Sequence, residues 1–223
     1  MRRILLVAFL ILASLNTPVI AARPTDELIE DAVLILKEFA DQPDSEYFRN
    51  MLKRAHGVAI FPRVIKAGLG LGGRYGKGIL LQFNQDSQTW FGPYFANLKG
   101  VSYGFQVGVQ STALVLVITS ERGMESLKEE KITLGGNISI ATGPIGRSAE
   151  AGTDLGLKAP IYSYSMSKGA FAGASFEGAV ISNDVNANLV YWQEKLSPQE
   201  ALSKAASGES VQPLIKKLDD LKN

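Results

Sequence analysis

From Thr25 to Ala40 the apolar residues Leu28, Ala32, Ile35, Leu36 and Phe39 recur every three or four positions, the spacing that gathers side chains on one stripe of an α-helix. Asp26, Glu27, Glu30 and Asp31 crowd its first turns. Carboxylates suit the positive end of a helix dipole, and Thr25 is expected to cap it. A second helix is expected from about Ser45, with Tyr47, Phe48, Met51, Leu52 and Ala55 on one face. Gly57 is its stop, and Lys53, Arg54 and His56 fall in its last turn. From Val58 the pattern shortens to β-like runs: "VAIF", "GLGLGGRYG", "GILLQF", "TWFGPYF", "VSYGFQVGVQ" and "ALVLVIT", with "NQDSQ" at 84 to 88 as a hairpin connection. A helix is expected at 122 to 131. Strand texture resumes in "ITLGGNISIAT", "APIYSYSM", "GAFAGASFEGAVI" and "ANLVYW". At "SPQE", Ser197, Pro198 and Glu200 have the spacing of a capping box, so a short helix starts there. Leu214, Ile215, Leu218 and Leu221 predict one more amphipathic helix in the tail. The reading is α+β: two helices, then an antiparallel sheet curled into a barrel or a sandwich, then C-terminal helices.

Residues 1 to 22 have a different texture. Arg2 and Arg3 precede an unbroken apolar run from Ile4 to Ala13, and small residues follow at Ala21 and Ala22. This is the layout of a secretory signal peptide. A bilayer-spanning helix needs about 20 apolar residues, and Asn16, Thr17 and Pro18 interrupt the run too early. The expected organisation is a signal peptide at 1–22, one domain at 23–207 and a helical tail at 208–223. With 46% hydrophobic residues, 223 positions suffice for one well-filled core. The absence of cysteine excludes disulfides, thiol chemistry, cysteine metal sites and a lipidated cysteine anchor. The expected product is exported, periplasmic or secreted, either soluble or peripheral on a membrane. Loss of Arg2 and Arg3 with the leader changes the formal charge from +1 to −1. A nucleic-acid binder is normally clearly basic, so that class is set aside.

"KAGLGLGGRYGKG" at 66 to 78 holds a literal G-x-G-x-x-G at Gly68, Gly70 and Gly73. A dinucleotide site needs a helix to open there and an acid about 20 positions on. Two more glycines and a β-type run follow instead, and Asp86 falls in the hairpin turn. A phosphate loop fails as well, because Lys77 is not followed by Ser or Thr. Gly68, Gly70 and Gly72 alternate with Leu69 and Leu71, which puts glycine on one face of a strand. Something is expected to pack very close to that face.

"AHGVAIFPRVIKAGLGLGGRYGKG" at 55 to 78, "GVSYGFQVGVQST" at 100 to 112, "GPIGR" at 143 to 147 and "YSYSMSKGAFAGASFEGAVI" at 162 to 181 resemble the successive signature blocks of the SYLF domain family. They stand in the family's order and cover roughly Asp31 to Trp192. The resemblance implies a lipid-binding module that prefers anionic membranes. In eukaryotic members the ligands include phosphoinositides, and the module meets the actin machinery there. Actin binding is not carried over to an exported chain. Ala113 stands where many members of the family carry Asp.

The residues offer little catalytic material. His56 is the lone histidine, placed to satisfy the end of a helix, and no cofactor is implied. Glu150 and Asp154 form a carboxylate pair in a Gly- and Ala-rich connection, where a solvated loop is the plainer account. Glu177 lies in an expected strand, either outward or paired inside. Trp90, Phe91, Tyr94, Phe95, Tyr103 and Phe105 are read mostly as core. Lys53, Arg54, Arg63, Lys66, Arg74 and Lys77 cluster around the glycine strand, and no Asp or Glu lies between Lys53 and Gln85. That local excess points to an anionic partner. The expected function is a non-enzymatic module that binds anionic phospholipid or phosphoinositide-like headgroups through these six residues and the amphipathic first helix. The alternative is an envelope scaffold that binds a protein, or an apolar ligand inside the barrel.

Overall fold

The computed structural model describes residues 23–143, 159–171 and 175–223, with the course of the backbone alone at 69–71 and 102–107. The leader, the pair Glu150 and Asp154, most of "GPIGR", and the side chains of Tyr103 and Phe105 lie outside the described residues.

Helix α1 spans Pro24–Ala40. Arg23, not Thr25, takes the cap position, and no side chain caps the helix. Pro24 at the first position has no N–H to satisfy and is preset for helical φ. Thr25 lies inside the first turn with its hydroxyl buried and without a partner. Helix α2, Ser45–Lys53, ends short of Gly57, because the backbone at His56 is already engaged by the sheet. The His56 N–H donates to the Ile118 carbonyl at 2.7 Å, and the Phe83 N–H donates to the His56 carbonyl at 2.8 Å.

The six expected runs after Val58 merge into two strands, β1 (Gly57–Asn84, 28 residues) and β2 (Thr89–Ile118, 30 residues). They pair antiparallel from Gly57 opposite Ile118 to Asn84 opposite Thr89. The turn falls at "NQDSQ", where the Asn84 carboxamide oxygen accepts the N–H groups of Asp86 and Ser87, each at 2.9 Å. Register shifts at Phe61/Val64, Leu69/Leu71 and Leu80/Gln82 bend this ribbon. At Gly72, the one member of the alternation whose surroundings are described, what packs close is β1 itself: a side chain there would strike the Ala67 carbonyl and come within 2.9 Å of Gly68 Cα. The fold-back continues beyond the alternation, where a side chain on Gly76 would come within 2.9 Å of the Arg63 carbonyl and 3.0 Å of Val64 Cγ2, and one on Gly78 would strike the Phe61 ring.

Helix α3 is Glu121–Leu127, capped by the Ser120 hydroxyl, which accepts the Gly123 N–H at 3.1 Å. Strands β3 (Lys131–Thr133), β4 (Ile140–Thr142), β5 (Ile161–Ser167), β6 (Ala170–Phe171) and β7 (Val180–Asn183) complete a curled sheet of order β3-β7-β2-β5-β4, with β1 also on β2 and β6 on β5. The sheet is mixed, because β4 and β5 run parallel. The connection from 143 to 160 is long enough for the crossover a parallel pair needs. "GAFAGASFEGAVI" contributes only β6 and β7 among the described residues, and Glu177 is exposed in the turn before β7. "ANLVYW", expected as a strand, lies in helix α4, Val185–Trp192. Its cap decides this: the Asp184 carboxylate accepts the Ala187 N–H at 3.2 Å.

Helix α5, Pro198–Ala201, has the expected capping box between Ser197 and Glu200. After a 3-10 turn at Glu209–Val211, helix α6 (Gln212–Lys222) buries Leu214, Leu218 and Leu221 against the first two helices and the sheet. Both faces of the sheet are covered. Phe39, Phe48, Ile79, Phe95, Val115 and Tyr164 pack on one side, and Phe61, Leu80, Tyr94, Leu98, Leu116 and Ile181 on the other. That double burial is why "ALVLVI" shows no alternation. Ala113 is buried opposite Met166. Helix α1 gives its apolar stripe of Ile29, Ala32, Leu36 and Phe39 to this core. Glu27, Glu30 and Glu38 are left to solvent.

Candidate binding surface

The fold disperses the six basic residues read from the sequence. Lys53 ends α2, its ammonium 3.5 Å from the Asn223 carbonyl, and Arg54 is exposed beside it. Lys66 is half-buried on the first arm of β1, opposite Gln110. Arg74 turns to the other side of the ribbon from its neighbour Tyr75. There it donates to the Ser175 carbonyl at 2.7 Å and its guanidinium lies 5.2 Å from the Phe176 ring centre. Burial lowers its pKa from the ordinary arginine value. Arg63 and Lys77 do come together. They line a cleft of about 260 Å³ between α1 and the folded ribbon, with Leu28, Asp31, Ile65 and Tyr75. Arg63 is 3.9 Å from Asp31, and Lys77 is 3.0 Å from Asp184. Hydrogen bonding to Asp184 raises the Lys77 pKa above the usual lysine range.

Strand register builds a second cationic feature that no segment of sequence contains. Residues opposite one another in a sheet share a face, as do residues two apart on a strand. One row crosses four strands as Lys131, Ser182, Asn97 and Lys77; the next is Thr133, Val180, Lys99 and Tyr75. Lys77, Lys99 and Lys131 are exposed on this face, with Tyr75 and, one row further, Val101. Three strand spacings separate Lys131 from Lys77, about 15 Å. The Tyr75 hydroxyl hydrogen-bonds the Asn97 side chain at 2.8 Å, and the Lys99 ammonium lies 5.9 Å from the Tyr75 ring centre. Lys77 is partly neutralised by Asp184, whereas neither Lys99 nor Lys131 has a salt bridge among the described residues.

Residues 99–221 match the family described as Ysc84, Las17-binding protein actin regulator. The chain belongs to this family, the one whose SYLF blocks the sequence displays. Protein YSC84 of Saccharomyces cerevisiae is 38% identical over 184 residues, which is 81% of this chain and 38% of that protein. LAS seventeen-binding protein 3 of the same yeast is 36% identical over 174 residues, 76% of this chain and 38% of that one. SH3 domain-containing YSC84-like protein 1 of Homo sapiens is 32% identical over 177 residues, 77% of this chain and 51% of that protein. The chain therefore spans between two fifths and half the length of these relatives. The Ysc84 description is that of a binding and regulatory protein.

In this Ysc84-family chain His56 serves the sheet through its backbone and lines a cleft of about 260 Å³ with Gln82, Asn84, Glu121 and Glu125. No three His, Asp or Glu side chains converge as metal ligands among the described residues. Sequence reasoning missed Lys99 and Lys131. Lys99 stands alone in its segment and Lys131 ends an expected helix, so only the pairing of β3, β7, β2 and β1 makes them neighbours. The alternation Asn97, Lys99, Val101 was the one available signal.

Proposed function

We propose that this Ysc84-family chain is an exported, non-enzymatic module that docks on anionic phospholipid surfaces. One observation carries the reading: Lys77, Lys99 and Lys131 stand exposed on one face of the sheet, and of the three only Lys77 is paired with a carboxylate among the described residues, Asp184 at 3.0 Å, with Asp31 of α1 in the shared cleft. Each lysine near an anionic surface contributes about 1 kcal/mol. The leader-like composition of residues 1–22 supports export. The contact in this reading is peripheral, made by the exposed lysines of the sheet face; no helix among the described residues is long and apolar enough to cross a membrane. The test is co-sedimentation of the full chain with neutral and anionic vesicles at low and high salt. Lys99→Ala with Lys131→Ala removes about 2 kcal/mol, a loss of about thirtyfold in partitioning. Equal binding to neutral and anionic vesicles, or none to either, defeats the reading.

A protein partner is the second reading, favoured by the family's description as Las17-binding. The cleft of Leu28, Arg63, Ile65 and Tyr75 offers it a mixed apolar and charged lining. An apolar ligand inside the curl is less favoured, because buried side chains fill both faces of the sheet, Ile79, Phe95 and Val115 on one and Phe61, Leu80 and Leu116 on the other. Vesicle-independent capture of one partner, abolished by substitution at Arg63 and Tyr75, would support the protein reading over the lipid one.

A further inference from the structure

Helix α4 has the composition of a buried element and the position of a surface one. Its residues, VNANLVYW, include no charge. Asn188, Tyr191 and Trp192 turn toward the sheet: Asn188 bonds the Phe95 backbone, the Tyr191 ring is 5.3 Å from Phe95, and Trp192 Nε1 donates to the Pro93 carbonyl at 3.0 Å. The opposite arc is left to solvent, and Val185, Leu189 and Val190 are 50%, 49% and 40% exposed. With Asn186 they span about 140° of the helix. A solvent-facing arc normally carries charge. Scattered apolar residues need no explanation, but a contiguous group marks a contact surface. The other exposed aliphatics stand singly: Leu34 among Glu30, Lys37 and Glu38 on α1, Val109 on the first arm's partner strand, and Val101 one row from Tyr75 on the lysine face.

Phe95, Asn97 and Lys99 alternate onto the same side of β2, so α4, which packs on Phe95, shares a side of the sheet with the lysine rows. Asp184 joins the two, capping α4 while it holds Lys77. An apolar ridge beside exposed cations fits the boundary of an anionic bilayer, where headgroups meet lysines and the acyl region takes aliphatic side chains. Resting on the lipid-surface reading, we propose that α4 is the element that enters the bilayer interface, with Val185, Leu189 and Val190 below the headgroups and Lys77, Lys99 and Lys131 at the phosphates. Binding then has two parts. The lysine part fades with salt, and the α4 part persists.

The chain lacks cysteine, so Leu189→Cys in the full chain gives a single labelling site for an environment-sensitive dye. With vesicles containing anionic phosphatidylserine the dye at 189 shifts to the blue and is quenched by spin labels on the acyl chains; the same dye at Leu34→Cys does neither. Val185→Ser with Leu189→Ser lowers partitioning at least about tenfold without changing its dependence on salt. If the unlabelled wild type ignores anionic vesicles, the lipid reading falls and this inference falls with it. If the wild type binds while the dye at 189 stays silent and the serine variant binds equally well, the lipid reading stands and α4 is not the inserting element. A dye shift that grows with protein concentration in the absence of vesicles assigns the arc to a second copy of the chain and overturns the proposal.

Discussion

Asn188 holds α4 on the sheet, and its replacement by alanine tests the account of this surface most directly. The residue is 2% exposed. Its Oδ1 accepts the Phe95 N–H at 2.9 Å, and its Nδ2 donates to the Phe95 carbonyl at 2.8 Å, the Asn183 side-chain oxygen at 2.8 Å and the Asp184 carbonyl at 3.1 Å. In Asn188→Ala the Phe95 carbonyl keeps the Asp184 N–H at 3.1 Å, but the buried Phe95 N–H is left without this acceptor. An orphaned buried backbone donor costs about 1–3 kcal/mol, and the lost bonds to Asn183 and Asp184 add to it, for about 3 kcal/mol in all. For a chain of this size that is a fall in Tm of about 6–12 °C. Urea unfolding followed by the fluorescence of Trp90 and Trp192 measures it. Asn186→Ala, on the exposed arc of the same helix, changes stability by no more than about 0.5 kcal/mol. Asn188→Asp is worse than alanine, because it buries a carboxylate beside Asp184 and loses every donated bond. A loss below about 1 kcal/mol in Asn188→Ala would refute the claim that this network fixes α4.

The self-packing of β1 predicts opposite outcomes for two neighbouring glycines. Gly78→Ala drives a methyl into the Phe61 ring and the Ile60 carbonyl and costs at least about 2 kcal/mol, whereas Gly73→Ala, with nothing nearer than the Gly100 carbonyl at 3.9 Å, is neutral or slightly stabilising; equal melting temperatures would contradict the fold-back. Lys222 gives a pH signature. Its ammonium lies over the Phe83 ring and near Trp90, and burial pushes its pKa down from 10.5 to about 8 against the attraction of Asp219. Between about pH 8 and 10.5 the unfolded chain holds a proton that the folded chain has released, so stability rises with pH across that window. Lys222→Met flattens this rise in urea midpoints measured at pH 7.5 and 10, and an unchanged slope would show that Lys222 titrates normally.

The helix stripe at Leu28 to Phe39, the Asn84 turn and the Ser197 capping box were legible because each depends on residues within four positions of one another. The chemistry of such elements is complete in a short segment, and tertiary contacts had only to accept it. Boundaries moved where distant backbone intervened. Helix α2 stops early because His56 is taken by Ile118 and Phe83, partners far along the chain. "ANLVYW" has the β-branched and aromatic texture of a strand, yet Asp184 at its cap and Asn188 on Phe95 make it a helix. The glycine alternation correctly announced a close approach but not its partner, since nothing local says that a 28-residue strand will fold onto itself. The basic surface shows the same division most plainly. Composition and order of residues determined that the chain carries a cationic middle, an acidic first helix and an α+β fold. Only the register of β3, β7, β2 and β1 decided that Lys131 and Lys99 would join Lys77, and that Arg74 would turn away, because side-chain direction in a sheet reverses with every residue and pairing between distant strands sets which parities meet.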